Sequence, residues 1–75
     1  MNHLIALFHS TRGVIRGQKI CQQNEVSCKV IPVPREFSSE CGMALDIDPS
    51  MESVAKELFL SEQLVATFHY ITSEL

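Results

Sequence analysis

The segment PREFSSECGMAL, residues 34–45, holds the side chains whose types and spacing best suit covalent chemistry. Its thiol, Cys41, is nucleophilic as the thiolate, and nearby positive charge favours that form. Arg35 supplies such a charge within the segment, whereas Glu36 and Glu40 oppose it. Two interpretations stay open: a working thiol on a prepared loop, or a small apolar side chain that packs where a hairpin turns.

The other residues of the segment would hold such a thiol in place. Ser38 and Ser39 can donate hydrogen bonds to an anion or to the loop's own backbone. Gly42 permits a tight turn or a close approach of the backbone to a ligand. Pro32 and Pro34 favour extended backbone, and a stiff loop would keep a thiol at a defined position.

The remaining cysteines and histidines give weaker signals. The chain has three cysteines, an odd number without framework spacing, which predicts free thiols. Cys21 and Cys28 fall on apolar faces of predicted elements, and this indicates a structural role. No C-x-x-C or H-x-x-x-H spacing is present, so we expect no metal site. His9 could serve as a base for Cys41, although no third residue is evident to orient it.

Hydropathy and turn signals predict the elements that must position these residues. The strands are expected over residues 3–8, 26–33, 42–47 and 64–71, and the helices over about 12–23 and from Pro49 onward. The order β-α-β-β-α-β predicts an α+β, ferredoxin-like fold in a single domain, residues 1–75. That fold has a four-stranded antiparallel sheet in the spatial order 4-1-3-2, with both helices on one face.

Each predicted helix has one face suited to the core. The first presents small and apolar residues at spacings of three and four: Gly13, Val14, Gly17, Ile20 and Cys21. Its glycines would let it lie close to the sheet, and Ser10 or Thr11 would cap its N-terminus. The second is capped by Asp48 and presents Met51, Val54, Ala55 and Leu58.

This topology predicts the position of the cysteine loop, which is the segment PREFSSECG at residues 34–42. The first two strands run in the same direction, so the loop after the second should lie near the N-terminus of the first helix. We therefore expect it close to His9, Ser10, Thr11 and Arg12. A helix N-terminus carries roughly +0.5 of a charge, attracts anions and makes a nearby thiol easier to ionise.

The composition excludes several classes of function. A formal net charge of −3 argues against general nucleic-acid binding and against attachment to an anionic membrane. No apolar run approaches the ~20 residues of a membrane span, and the first residues lack the pattern of a signal peptide. We therefore expect a cytoplasmic protein. A chain of 75 residues has a thin core, which a homo-oligomer would help to stabilise.

Two motifs, joined by a helix, resemble a family of small bacterial proteins described as Se/S carrier-like. The motifs are ALFHST at 6–11 and VIPVPREFSSECGMAL at 30–45. The family pattern is a strand ending in a Phe-x-Ser turn, a helix, and a proline-arginine loop that runs into Ser-x-Cys-Gly and an apolar strand. The matching positions are Phe8, Ser10, Pro32, Pro34, Arg35, Ser38, Ser39, Cys41 and Gly42. The resemblance covers essentially the whole chain.

The resemblance implies that Cys41 carries sulfur or selenium as a persulfide or selenosulfide, with no separate cofactor. The expected binding residues are Arg35, Ser38, Ser39, Gly42, Ser10, Thr11, Arg12 and His9. Sulfur or selenium donor and acceptor proteins would be the partners, which favours a carrier or binding protein over a turnover enzyme. The alternative is a small regulatory or interaction module that binds an anionic ligand or a partner protein without thiol chemistry.

Overall fold

A computed structural model describes residues 2–37 and 42–72 and shows an α+β fold. The strands are β1 (Asn2–Leu7), β2 (Cys28–Pro32), β3 (Met43–Ile47) and β4 (Thr67–Thr72), and the helices are α1 (Thr11–Gln23) and α2 (Glu52–Ser61). All pairings are antiparallel and the spatial order is β2-β3-β1-β4. This confirms the predicted ferredoxin-like sheet. Neither described helix is long and apolar enough to cross a lipid bilayer.

The core lies between the helices and one face of the sheet. Leu4 is opposite Ile47 and Ala6 is opposite Leu45, so these four side chains share a face, and all are fully buried. The next even-numbered residue of the chain, Phe8, packs edge-to-face on Phe59 of α2, with ring centroids 5.9 Å apart. Both helices therefore cover the same face, as the topology predicts.

Helix α1 approaches this face closely because of its glycines. A Cβ added at Gly17 would lie 2.9 Å from both Leu45 Cδ1 and Phe8 Cζ, which are buried. The predicted inward face is confirmed, since Val14, Gly17, Ile20 and Cys21 are the buried residues of α1. Of the two proposed caps, Ser10 is the one used: its Oγ accepts a hydrogen bond from the Gly13 amide at 3.3 Å.

Helix α2 begins later than the sequence suggests. Asp48 caps a short 3₁₀ turn, Pro49–Met51, and the α-helix follows from Glu52. The buried residues of α2 are Ala55 and Phe59, so the prediction of an inward Val54 was wrong. A 3₁₀ turn has three residues per turn rather than 3.6, and it shifts the phase of the face that meets the core.

The opposite, helix-free face of the sheet is also partly covered. Ile5 and Ala44 point to this face and have no exposed surface. On the same face the ring of Phe37, from the segment after β2, stacks on His69 of β4 with centroids 4.5 Å apart. The described part of the cysteine loop therefore contacts the strand at the far edge of the sheet.

Candidate functional site

The base of the cysteine loop is held at the shared end of β2 and β3. The Val33 amide donates to the Gly42 carbonyl at 3.2 Å, and the Phe37 amide donates to the Pro34 carbonyl at 3.0 Å. Arg35 is exposed in the turn that the Phe37–Pro34 hydrogen bond closes. Gly42 has a φ of +72°, the left-handed region that favours glycine. Among the described residues, no heavy atom beyond its chain neighbours lies within 4 Å of a Cβ built there, so Gly42 is suited to its turn by backbone conformation.

Three of the expected site residues, Cys41, Ser38 and Ser39, lie outside the described residues. Their roles remain predictions. What the structure describes is the two sides of the loop, Phe37 on one and Gly42 on the other.

The N-terminus of α1 borders a small pocket of about 200 Å³. His9, Ser10 and Arg12 line one side with Arg16, and the turn between α2 and β4 lines the other. The Arg16 guanidinium donates to the Glu62 carbonyl at 3.0 Å and ties the two sides together. Three of the four residues near which the cysteine loop is expected therefore line this pocket. The fourth, Thr11, is exposed and is not part of the lining.

The contact between Phe37 and His69 was missed by sequence reasoning. Two aromatic residues far apart in the chain carry no local signal, and the loop's path across the sheet is not encoded by any periodicity. His69 is opposite Ile5 in the register of β4 on β1, which places it on the helix-free face. Phe37 therefore anchors the N-terminal side of the loop on that face.

The two described cysteines lie together at the other end of the sheet. Cys21 is fully buried under the C-terminal turn of α1, and Cys28 is half-buried at the start of β2. Burial first, and then the neighbouring Cys28, raises the pKa of Cys21 to about 12. Burial also raises the pKa of Cys28, while a hydrogen bond from Cys21 acts in the opposite direction. Both thiols are therefore disfavoured as thiolates at neutral pH.

A second polar pocket, of about 400 Å³, lies at this same end on the sheet's rim. There His3 Nδ1 is 3.1 Å from Asp46 Oδ2, and Lys29 and Cys28 also contribute to the lining. His3 and Asp46 belong to the neighbouring strands β1 and β3, and the register of these strands places both side chains on the same face. Within residues 2–37 and 42–72, no three histidine, cysteine or acidic side chains gather closely enough to hold a metal ion.

Comparison with known proteins adds a family and one relative. The family described as "Putative Se/S carrier protein-like" matches residues 3–71. Uncharacterized protein YtiA of Escherichia coli (strain K12) is 36% identical over 45 residues, which are 60% of this chain and 53% of that protein. The chain thus spans about half the length of the curated relative it matches. No solved structure matches the chain.

Proposed function

We propose that the chain carries sulfur or selenium on Cys41, on the premise that it belongs to the Se/S carrier protein-like family. In this role it binds a donor protein and an acceptor protein in turn and is not itself a turnover enzyme. No separate cofactor is needed, because the cargo is bound covalently to the thiol. The proposal places this exchange in the cytoplasm.

The observation that carries the choice of Cys41 is the state of the other two thiols. The chain has three cysteines. Burial raises the pKa of both Cys21 and Cys28, and Cys21 has no exposed surface. A carrier thiol must meet a donor and react as a thiolate, so these two are poor candidates. Cys41, on a loop rich in polar residues, is the remaining one.

The proposed transfer is a displacement at sulfur. The Cys41 thiolate attacks the outer sulfur of a donor cysteine persulfide, a new S–S bond forms on Cys41, and the donor's own thiolate leaves. Delivery is the corresponding displacement on the carrier. An acceptor thiolate attacks the outer sulfur, a new S–S bond forms on the acceptor, and the Cys41 thiolate leaves. Arg35 would stabilise the anions on either side of each step, and Ser38 and Ser39 would donate hydrogen bonds to them.

The test is loading by a cysteine desulfurase with cysteine as the sulfur source, followed by mass spectrometry of the intact protein. Wild type should gain the mass of one sulfur atom, and Cys41→Ser should not. Cys28→Ser is the matched control, because it removes a half-buried thiol and should load like wild type. Loading of Cys41→Ser, or loss of loading in Cys28→Ser, would contradict the proposal.

A second candidate function is supported by the pocket at the N-terminus of α1. His9, Arg12 and Arg16 line it, and it lies beside the Ser10-capped N-terminus of α1. This arrangement suits a small anion, bound by a regulatory or interaction module without thiol chemistry. Phosphate should then raise the melting temperature of wild type and of Cys41→Ser equally. Arg12→Gln should abolish the shift, whereas Lys19→Gln, on the exposed surface of α1, should keep it.

A further inference from the structure

Cys21 and Cys28 form a pair of nucleophilic side chains that the proposed carrier chemistry does not use. Cys28 is the first residue of β2 and Cys21 is in the last turn of α1, whereas the cysteine loop begins after Pro32, at the other end of β2. At about 3.4 Å per residue, β2 separates the two places by roughly 13 Å. The pair is therefore a separate site.

The pair is held together by a tight connection between α1 and β2. The Val26 amide donates to the Cys21 carbonyl at 2.8 Å, and Glu25 takes a φ of +60°, which closes the turn after the helix. Cys28 is opposite Ile47, so its side chain faces the helices and packs against the core cluster that contains Cys21. The two side chains are close enough for each to affect the pKa of the other.

The two thiols differ in their exposure to solvent and in how readily they ionise. Cys21 has no exposed surface, whereas Cys28 is half-buried and lines the open pocket at the rim of the sheet. The Cys21 side chain acts to lower the pKa of Cys28, whereas Cys28 raises the pKa of Cys21, so Cys28 is the easier of the two to ionise. Of these two thiols, a reagent from solution can reach only Cys28, and Cys28 packs against the core cluster that contains Cys21.

We propose that Cys21 and Cys28 are a dithiol site that low-molecular-weight disulfides of the glutathione type oxidise to an intramolecular disulfide. Cys28 loses its proton and attacks the small disulfide, a Cys28–glutathione bond forms, and one glutathione thiolate leaves and takes up the proton. Cys21 then loses its proton and attacks the Cys28 sulfur, which releases the second glutathione thiolate. The protein loses two electrons and two protons, and the small disulfide becomes two thiols.

The second step is favoured by geometry. Attack by Cys21 is intramolecular and needs no diffusion, and this advantage offsets the small fraction of thiolate that its raised pKa leaves, so the mixed disulfide should not accumulate. The first step is slow at neutral pH because burial raises the pKa of Cys28. The site therefore responds to sustained exposure to oxidised small thiols and does not compete with rapid transfer on Cys41.

The test uses the full chain with Cys41→Ser, which leaves only this pair, incubated with glutathione disulfide in mildly alkaline buffer. The expected product has a mass lower by two hydrogen atoms, both thiols blocked together, and an unchanged circular dichroism spectrum. Cleavage after Lys19, Glu25 and Lys29 should give peptides 20–25 and 26–29 joined until a reductant is added. Retention of both thiols, a stable glutathione adduct, or a disulfide that forms only in urea would overturn the proposal.

Two further variants in the same background test the order of the steps. With Cys21→Ala the reaction should stop at a Cys28–glutathione mixed disulfide, and with Cys28→Ser the buried Cys21 should stay reduced. Glutathione uptake by the Cys28→Ser protein at the rate of the Cys21→Ala protein would overturn the assignment of Cys28 as the first nucleophile. The principal result stands on the protein with both thiols, so it does not depend on the folding of either variant.

Discussion

Gly42 is the residue whose backbone most restricts what can replace it at the cysteine loop. Its φ of +72° lies where an L-residue meets steric strain, although no described atom beyond its chain neighbours would contact an added Cβ. Gly42→Ala should therefore lower the free energy of unfolding by about 1 kcal/mol, as measured by urea denaturation. Gly42→Asn should lose clearly less, because asparagine tolerates this conformation. Equal losses would show that the left-handed conformation is not what matters there.

Cys21 predicts a particular dependence of stability on alkaline pH. Its pKa is raised from 9.0 to about 12 in the folded chain, so the folded state holds this proton more tightly than the unfolded state. The stabilisation is complete below pH 9 and is lost as the pH rises toward 12. Between these limits wild type should lose up to about 1.4 kcal/mol per pH unit more than Cys21→Ala. Urea unfolding of both proteins across this range measures the difference, and parallel curves would contradict the pKa shift.

The residues with proposed chemistry show what a sequence can and cannot predict at this scale. The Ser10 cap and the conformational need for Gly42 followed from local rules on capping and glycine. The burial of Cys21 followed from helical periodicity. The stacking of Phe37 on His69 did not, because it depends on the path of a loop, for which the sequence has no repeating pattern.

At the scale of elements, the close approach of α1 to the sheet depends on Gly17. A methyl group there would meet Leu45 and Phe8 at 2.9 Å, and both are buried, so neighbouring side chains must shift. Gly17→Ala should lower the free energy of unfolding by about 1 kcal/mol even though alanine favours helix. Lys19→Ala, on the exposed surface of the same helix, should change it little. A stabilised Gly17→Ala protein would contradict the tight packing.

The elements themselves were well predicted because their patterns are strong. Four strands and two helices in the predicted order were found, and β2 is an edge strand, as its Pro32 requires. The error in α2 has a local cause. Asp48 and Pro49 are equally typical of the start of a 3₁₀ turn and of the start of an α-helix. The two alternatives give α2 different buried faces, so the sequence could not predict that Phe59 is buried and Val54 is exposed.

At the scale of the whole molecule, Phe37 and His69 connect the cysteine loop to the opposite edge of the sheet. A double-mutant cycle with Phe37→Ala and His69→Ala should give a coupling energy of about 0.5–1.5 kcal/mol in urea unfolding. The same cycle with His3→Ala in place of His69→Ala should be additive, since His3 pairs with Asp46 instead. Additivity in both cycles would show that the stacking contributes nothing to stability.

The position of β1 has a consequence for how the protein is made. β1 leaves the ribosome before both of its partners, β3 and β4, and its first residue, Asn2, pairs with Thr72 across almost the whole described chain. Until β4 has emerged, the nascent chain holds its most apolar strand with an open edge. The sheet can therefore close only after β4 has been synthesised, and until then the open edge of β1 is exposed to pairing with other chains.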